Sequence, residues 1–161
     1  MRRLFLLIEA AAIADLLVSF ARLPPRVASH FMAGGAANAF MPRTDYLLLM
    51  LTVTVLVPTL IAGLSALVGG LPPQLIHLPH KAYWLAPERR DATRAELSRR
   101  GLQFGSLLAL FLLYTHELVI AAHTVQPPRL PETAMLAGLV VFIALSVAWT
   151  LGLVLHFSRR R

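Results

Sequence analysis

The sequence contains no cysteine, and only 14% of its 161 residues are charged. The absence of cysteine excludes disulfide bonds, thiolate metal sites, covalent c-type haem attachment and palmitoylation. A Ser-His-Asp order, a phosphate-binding glycine loop and a nucleotide motif are also missing from the sequence. We therefore expect no cofactor, and the sequence favours a protein without catalytic activity over an enzyme.

Apolar residues, in contrast, make up 57% of the chain and give it a mean hydropathy of +0.68. This composition is typical of integral membrane proteins. The formal net charge of +7 would suggest nucleic-acid binding in a soluble protein. Here the basic residues lie at the ends of apolar stretches, where they set topology and meet anionic head groups. Membrane lipids are therefore expected partners, and nucleic acid is not.

Four apolar segments are long enough to cross a bilayer, whose hydrocarbon core of about 30 Å requires roughly 20 helical residues. The first segment holds Glu9 and Asp15 within its apolar run and lacks a convincing cleavage site, so we interpret it as an uncleaved helix. The sequence predicts an all-α integral membrane four-helix bundle that forms a single domain over residues 1–161. The predicted spans are about 3–22, 46–69, 101–123 and 134–157.

The distribution of Lys and Arg predicts the orientation of this bundle. One side carries Arg2, Arg3, Lys81, Arg89, Arg90, Arg94, Arg99, Arg100, Arg159, Arg160 and Arg161, and the other carries Arg22, Arg26, Arg43 and Arg129. Cytoplasmic loops are enriched in basic residues, so both termini and the loop 70–100 are expected in the cytoplasm. The sequence thus predicts a multi-pass protein of a cytoplasmic (inner) membrane, with the loop 23–45 facing outward.

The outward loop combines a stiff Pro24-Pro25 segment with a flexible Gly34-Gly35 turn. We expect no further secondary structure in this loop, apart from a short turn of helix over Val27–Ala33. Such a loop would hold His30 near the bilayer surface, where it would either anchor the loop or contact a ligand.

The cytoplasmic loop divides into two parts. Its apolar first part, Leu71–Leu85, suits a short interfacial helix or a re-entrant segment, with Tyr83 and Trp84 at head-group depth. The second part, Pro87–Arg100, predicts a helix that continues into the third span. Its basic face would either touch lipid head groups or dock a cytoplasmic partner.

Small residues recur at four-residue spacing in the last two spans. The third begins with Gly101 and Gly105, and the fourth carries Ala144, Ala148 and Gly152. Such rows let helices approach closely in lipid. They indicate either packing within the bundle or contact with a protein partner or a second copy of the chain.

Ionisable residues inside the spans predict a buried polar cluster, because a charged group in a bilayer needs a partner. Asp15 and Glu117 have matching depths, and His116 and His123 share a helix face that opens toward His30. The cluster would be a hydrogen-bonded or shared-proton structure, a proton or substrate pathway, or a metal site. No fixed ligand spacing supports a metal, for which His30, His116 and His123 are the candidates, and we predict none.

The outward loop resembles a known family signature. Leu23-Pro24, Val27, His30-Phe31, Gly35, Asn38 and Phe40 form LPxxVxxHFxxxGxxNxF. This pattern is similar to that of a bacterial membrane domain of unknown function found at the N-terminus of SdpI-type toxin-immunity proteins, although Asn38 stands where that domain usually has Asp. The resemblance implies that the outward loop makes the ligand or partner contacts, through His30, Phe31, Gly35, Asn38 and Phe40.

The cytoplasmic loop resembles small four-span relatives of the same domain. The similarity is to the run NxPxKxYWLxPERR, which this chain matches from Pro79 and Lys81 through YWLAPERR. The matching residues include Lys81, Tyr83, Trp84, Glu88, Arg89 and Arg90. Among proteins with this domain, SdpI protects the membrane against a secreted peptide toxin and captures a cytoplasmic repressor.

Three functions are compatible with these features. The first is a non-catalytic membrane protein of the immunity or sensing type, whose outward loop contacts a partner, a peptide or a lipid. The second is an accessory subunit of a larger membrane complex. The third is a transporter or a metal-dependent membrane enzyme that uses the buried carboxylate and histidine cluster.

Overall fold

The computed structural model describes residues 1–68 and 71–159 of the chain. The predicted end of the second span at Gly69, the loop residue Gly70 and the basic residues Arg160 and Arg161 lie outside the described residues. The elements in order are α1 (Arg2–Ser19), β1 (Arg26–Phe31), β2 (Ala37–Pro42), α2 (Arg43–Leu51), a π-helical segment (Thr52–Leu56), α3 (Val57–Val68), α4 (Lys81–Trp84), α5 (Arg90–Ala122) and α6 (Glu132–Ser158), with 3-10 turns at Phe20–Arg22 and Pro73–Leu75.

Four helices in the described residues are long and apolar enough to cross a membrane. They are Arg2–Arg22, Arg43–Val68, Arg90–Ala122 and Glu132–Ser158, so α2, the π-helical segment and α3 form one continuous rod. The predicted multi-pass helical architecture is therefore confirmed at this level. The third helix runs from the basic segment into its apolar part without a break, as predicted, but it begins at Arg90 rather than Pro87.

The prediction that the chain is all-α is wrong in one place. The loop between the first two long helices, which the sequence predicts to face outward, is an antiparallel hairpin of β1 and β2, with Val27 paired to Met41 and Ala28 to Phe40. No helical turn forms over Val27–Ala33. The physical reason is that Val27 is buried, so the backbone N–H and C=O groups of its segment need hydrogen-bond partners. Pairing the two extended segments supplies those hydrogen bonds. The tight connection between them requires positive φ angles of 85° at Gly34 and 80° at Gly35.

The bundle is tightest where α1, α3 and α5 meet. A Cβ atom at Gly105 would lie 2.9 Å from the carbonyl oxygen of Pro58 and 3.1 Å from the Phe5 ring, and one at Gly101 would overlap Ser65. Gly101 and Gly105 therefore bring α5 close to α3 within the chain. Helix α6 packs against α5 and has no buried residue in its apolar window.

The π-helical segment follows from Pro58. Proline has no N–H group, so the carbonyl of Thr54 cannot receive the usual α-helical hydrogen bond from the residue four positions later. The helix widens at Thr52–Leu56, directly before Pro58, and returns to α geometry at Val57. The widened segment contacts both α1 and α5, and its Thr54 is fully buried.

Candidate functional site

We call the end of the bundle that carries β1 and β2 the hairpin end, and the opposite end, where α1 begins and α6 finishes, the terminal end. The hairpin sits on a small apolar cluster formed by Leu23, Val27 and Tyr46, all at most 4% exposed. Val119 and Ile120 on α5 pack against this cluster. The first strand is therefore attached to the helices rather than free above them.

His123 fixes the hairpin to the end of α5. Its Nδ1–H group donates to the carbonyl of Val119 at 2.8 Å, and its Nε2 accepts the backbone N–H of Ala28 at 3.1 Å. These two contacts require the neutral tautomer with the proton on Nδ1, because Nε2 must offer a lone pair. The predicted cluster residue His123 thus acts as an anchor for the loop.

The connection between α5 and α6 clamps the turn of the hairpin. The N–H of Gly34 donates to the Glu132 carboxylate at 3.0 Å, and the Arg129 side chain donates to the Gly34 carbonyl at 3.0 Å. Leu130 N–H donates to the Gly35 carbonyl at 2.8 Å. A side chain at Gly35 would overlap the carbonyl oxygen of Leu130, so the two loops meet where only glycine fits.

His116 joins three helices beneath the hairpin, and it is only 1% exposed. Its Nε2 lies 2.7 Å from the hydroxyl of Ser19 on α1, and its Nδ1 lies 2.9 Å from the hydroxyl of Tyr46 on α2. Ser19 donates its own proton to the carbonyl of Leu16. With the Ser19 proton on the Leu16 carbonyl, Nε2–H donates to Ser19 and Nδ1 accepts from Tyr46, and in this assignment the ring is neutral and fully hydrogen-bonded.

Asp15 and Glu117 lie beside His116. Ligand atoms of these three residues are all within 4.8 Å of one another, but of the predicted buried acids Asp15 is half-buried and Glu117 is exposed. Two carboxylates this close repel each other when both are charged, which favours a proton held between them. The structure therefore brings together the two acids whose depths match in the sequence.

The donor set around Asp15 fits proton sharing better than metal binding. Both ring nitrogens of His116 are already engaged, so a metal ion would have to displace Ser19 or Tyr46. The other two histidine candidates are held elsewhere. His123 binds the hairpin, and Nδ1 of the exposed His30 lies 2.6 Å from the Asn38 carboxamide oxygen across the two strands.

A cavity of about 220 Å³ opens beneath β1. It lies between the hairpin, α2, α5 and the start of α6, and its walls are mostly apolar, with Phe31, Met50 and Met135 among them. Tyr46 and His116 also line it, so the cavity reaches the polar network. Among the other predicted contact residues, Phe40 is 41% exposed on β2.

The YWLxPERR motif, between the second and third long helices, forms an aromatic clamp at the terminal end. The indole N–H of Trp84 donates to the carbonyl of Phe157 at 2.8 Å, which satisfies a C-terminal carbonyl of α6. The Arg89 guanidinium lies 4.1 Å from the Tyr83 ring centroid, and Thr93 donates to the carbonyl of Trp84. Of the remaining motif residues, Lys81 begins α4, Arg90 begins α5 and Glu88 is an exposed residue between them.

Sequence reasoning missed four residues of this site: Ser19, Tyr46, Arg129 and Glu132. Ser19 carried a usable signal, because it follows Asp15 by four residues and therefore shares its helix face. The sequence offers no such signal for Tyr46, whose contact depends on how its helix is rotated. It offers none for Arg129 and Glu132 either, because their role depends on contact between two loops that are distant in the sequence.

Comparison of the chain with protein-family models, with curated proteins and with solved structures gives no match.

Proposed function

We propose that this chain is a non-catalytic protein of the bacterial inner membrane, of the immunity or sensing type, that binds an apolar segment of a secreted peptide at its hairpin end. The observation that carries the proposal is the cavity beneath β1, which is apolar, reaches Tyr46 and His116, and is framed by elements that the protein itself fixes. An apolar side chain of a bound peptide would be removed from water in this cavity, and the hydrogen bond between Tyr46 and His116 would stay intact.

The surface around the cavity supports a binding role. Met32 and Phe40 on the hairpin are 53% and 41% exposed, although the hairpin itself is anchored by His123 and clamped at Gly35. Exposed apolar groups on a rigid frame bind with little loss of conformational entropy. The excess of basic residues at the terminal end supports an orientation with the hairpin outside the cell, where it meets secreted peptides.

The test compares cells that produce the protein with cells from which its gene is deleted, challenged with secreted membrane-active peptides. Deletion should increase sensitivity to a particular peptide without a growth defect in its absence. Ser29→Phe would extend a ring into the cavity from an exposed lining position and should abolish protection. Ala39→Phe, on the exposed part of β2 outside the cavity, is the matched control and should protect normally.

Equal protection by both variants, or no sensitivity to any peptide after deletion, would contradict the proposal. The second outcome would favour the accessory-subunit function instead. That alternative has an observation in its favour, because Ala144 and Ala148 lie on an exposed face of α6 and leave room for a neighbouring helix. Purification in mild detergent separates the two functions, since a subunit should retain a stoichiometric neighbour.

A transport function is favoured by a different observation. Glu9 is only 6% exposed, and neither of its carboxyl oxygens has a hydrogen-bond partner among the described residues. The fully buried hydroxyl of Thr54, in the π-helical segment, is also without such a partner there. A proton pathway would run from Glu9 toward Asp15, and reconstituted vesicles with a pH-sensitive dye inside would detect it as proton flux lost in Glu9→Gln.

A further inference from the structure

A second cavity, of about 340 Å³, lies at the terminal end and takes no part in the function proposed above. It is bounded by Trp84 on α4, Arg100 on α5, Gly152, Leu155 and His156 on α6, and Arg159 just beyond α6. Its volume is at the lower end of the range of about 300–1,000 Å³ for small-molecule sites. Three separate elements converge here, and two of the side chains carry a full positive charge.

The walls of this cavity are held in place by the protein itself. The Trp84 ring stacks on His156 at a centroid distance of 5.4 Å, and its N–H is bound to the carbonyl of Phe157. On the other side, the indole N–H of Trp149 donates to the carbonyl of Arg100 at 3.2 Å, which ties α6 to α5. The cavity is therefore a preorganised site.

The charge of the cavity is only partly compensated. Arg99 and Arg100 both bind the same carboxylate, that of Glu96, at 2.6 and 2.8 Å. Arg159 makes no ion pair within residues 1–68 and 71–159. Two guanidinium groups thus share one carboxylate while the third has no ion-pair partner among the described residues, and this excess of positive charge favours an anion in the cavity.

Gly152 gives Arg100 access to the cavity. A Cβ atom at Gly152 would lie 3.4 Å from Nη1 of Arg100, and apart from the adjacent residues and backbone of α6 no other described atom lies within 4 Å of that position. The missing side chain leaves space on α6 directly opposite a guanidinium nitrogen. A longer side chain at this position would fill the space without altering any charge.

The cavity also lies beside the points where the apolar parts of two helices end, which is the level expected for lipid head groups. Helix α6 ends at Ser158, and the predicted apolar part of α5 begins at residue 101, directly after Arg100. Trp84 on the wall is the residue type that prefers the membrane–water boundary, and basic pockets between helix ends at this depth suit phosphate groups. Arg offers paired N–H groups that match phosphate oxygens.

We propose that the cavity between Trp84, Arg100 and Arg159 is a binding site for a phosphate group, supplied by an anionic phospholipid or by a soluble phosphate ester. The guanidinium groups of Arg100 and Arg159 donate to the phosphate oxygens. The acyl chains of a lipid so bound would lie along the apolar surface of α6, beside Leu155.

The chain provides its own reporter for this site, because its two tryptophans are Trp84, which lines the cavity, and Trp149, which binds Arg100. The full protein is placed in nanodiscs of phosphatidylcholine, in which increasing fractions are replaced by phosphatidylglycerol. In a parallel arm, glycerol 3-phosphate is titrated into the neutral nanodiscs. Tryptophan emission should change saturably in one arm or both, and the arm with the lower midpoint identifies the source of the phosphate.

Variants separate a built site from general attraction to negative charge. Arg100→Gln should weaken binding about tenfold, as expected for loss of a charge-assisted hydrogen bond. Arg99→Gln is the matched control, since it removes the same charge and a partner of the same Glu96 but does not line the cavity. Its binding should change less than about twofold for one exposed charge.

Two further variants test the site without changing Arg100, so that a folding defect in Arg100→Gln alone cannot decide the result. Gly152→Leu should abolish the response by filling the cavity, and Arg159→Gln should weaken it at an exposed position outside the helices. Unchanged circular dichroism for each variant confirms that folding is intact. Equal effects of Arg99→Gln and Arg100→Gln would overturn the proposal, as would an unaltered response in Gly152→Leu or the absence of saturation in both arms.

Discussion

The two ends of this bundle solve the same problem, the attachment of a loop to helix ends, with different chemistry. At the hairpin end, every attachment involves the backbone of the hairpin: His123 accepts the N–H of Ala28, Leu130 donates to the carbonyl of Gly35, and the Glu132 and Arg129 side chains bind Gly34. At the terminal end, the Trp84 indole donates to the Phe157 carbonyl, and the Arg89 guanidinium packs over the Tyr83 ring. The cavity at the hairpin end is mostly apolar, whereas the cavity at the terminal end is lined by Trp84, Arg100 and Arg159.

The comparison also shows which end depends on the rest of the bundle. The hairpin end is connected through His116 to α1, α2 and α5 at once, whereas the terminal clamp mainly holds α4 and α5 against the last turn of α6. Disturbing His116 should therefore affect the whole bundle, and disturbing Trp84 should act locally. Both tryptophans lie in the terminal half, so their emission monitors that half alone.

The largest expected effect is at the clamp between the loops. Gly35→Ala places a Cβ against the carbonyl oxygen of Leu130 and forces a non-glycine residue to a φ of 80°. We expect a loss of about 4 kcal/mol in the free energy of unfolding. The measurement is reversible unfolding in mixed micelles of dodecyl maltoside and sodium dodecyl sulfate.

Gly34→Ala is the control for this change. Its φ is 85°, but a Cβ there would meet nothing within 4 Å, so only the backbone strain of about 1–2 kcal/mol should appear. If both variants lose the same stability, the contact with Leu130 contributes nothing and the two loops are not clamped at this point. Hydrogen exchange in β1 should accelerate more in Gly35→Ala than in Gly34→Ala.

The second prediction concerns the junction of three helices. His116→Leu removes the partner of the Tyr46 hydroxyl and one partner of the Ser19 hydroxyl in a buried site, so we expect a loss of about 3 kcal/mol. Tyr46→Phe removes a single hydrogen bond and should cost about 1 kcal/mol. Equal losses in the two variants would show that Ser19 contributes no stability through His116. Micelle unfolding measures both.

The sequence predicts four helices long and apolar enough to cross a membrane, and the structure contains them, because length and apolar composition are local properties. The hairpin is not local. Its strands are defined by pairing between distant residues, such as Val27 with Met41. In addition, the register shifts around His30 interrupt the alternation of apolar and polar residues by which a half-buried strand is recognised in a sequence.

The candidate site divides in the same way. The approach of Asp15 and Glu117 follows from depth, which the rise per residue supplies from the sequence. The contact of His116 with Tyr46 depends on how each helix is rotated about its axis, and no local pattern specifies that rotation. The clamp between Trp84 and Phe157 likewise joins residues 73 positions apart.

A smaller, local effect is expected at the terminal end. Trp84→Phe keeps an aromatic ring in the clamp but removes the N–H that binds the Phe157 carbonyl, at a cost of about 1 kcal/mol. Hydrogen exchange should accelerate in α4 and the last turn of α6, while β1 stays protected. Trp149→Phe is the control, because it removes an N–H from a carbonyl in the middle of α5. Faster exchange in β1 of Trp84→Phe would contradict the independence of the two ends.

The smallest effect tests the shared proton at the hairpin end. Asp15→Asn and Glu117→Gln each replace one acid of the pair with an amide that can still donate a hydrogen bond, so each single variant should change stability little. The double variant should deviate from the sum of the singles by about 0.5–1 kcal/mol, because only adjacent groups are coupled. Arg22 interacts electrostatically with Glu117, so the cycle is repeated in an Arg22→Gln background to remove that contribution. Strict additivity in both backgrounds would mean that the carboxyl groups ionise independently, and His116 alone would then define the polar centre of the hairpin end.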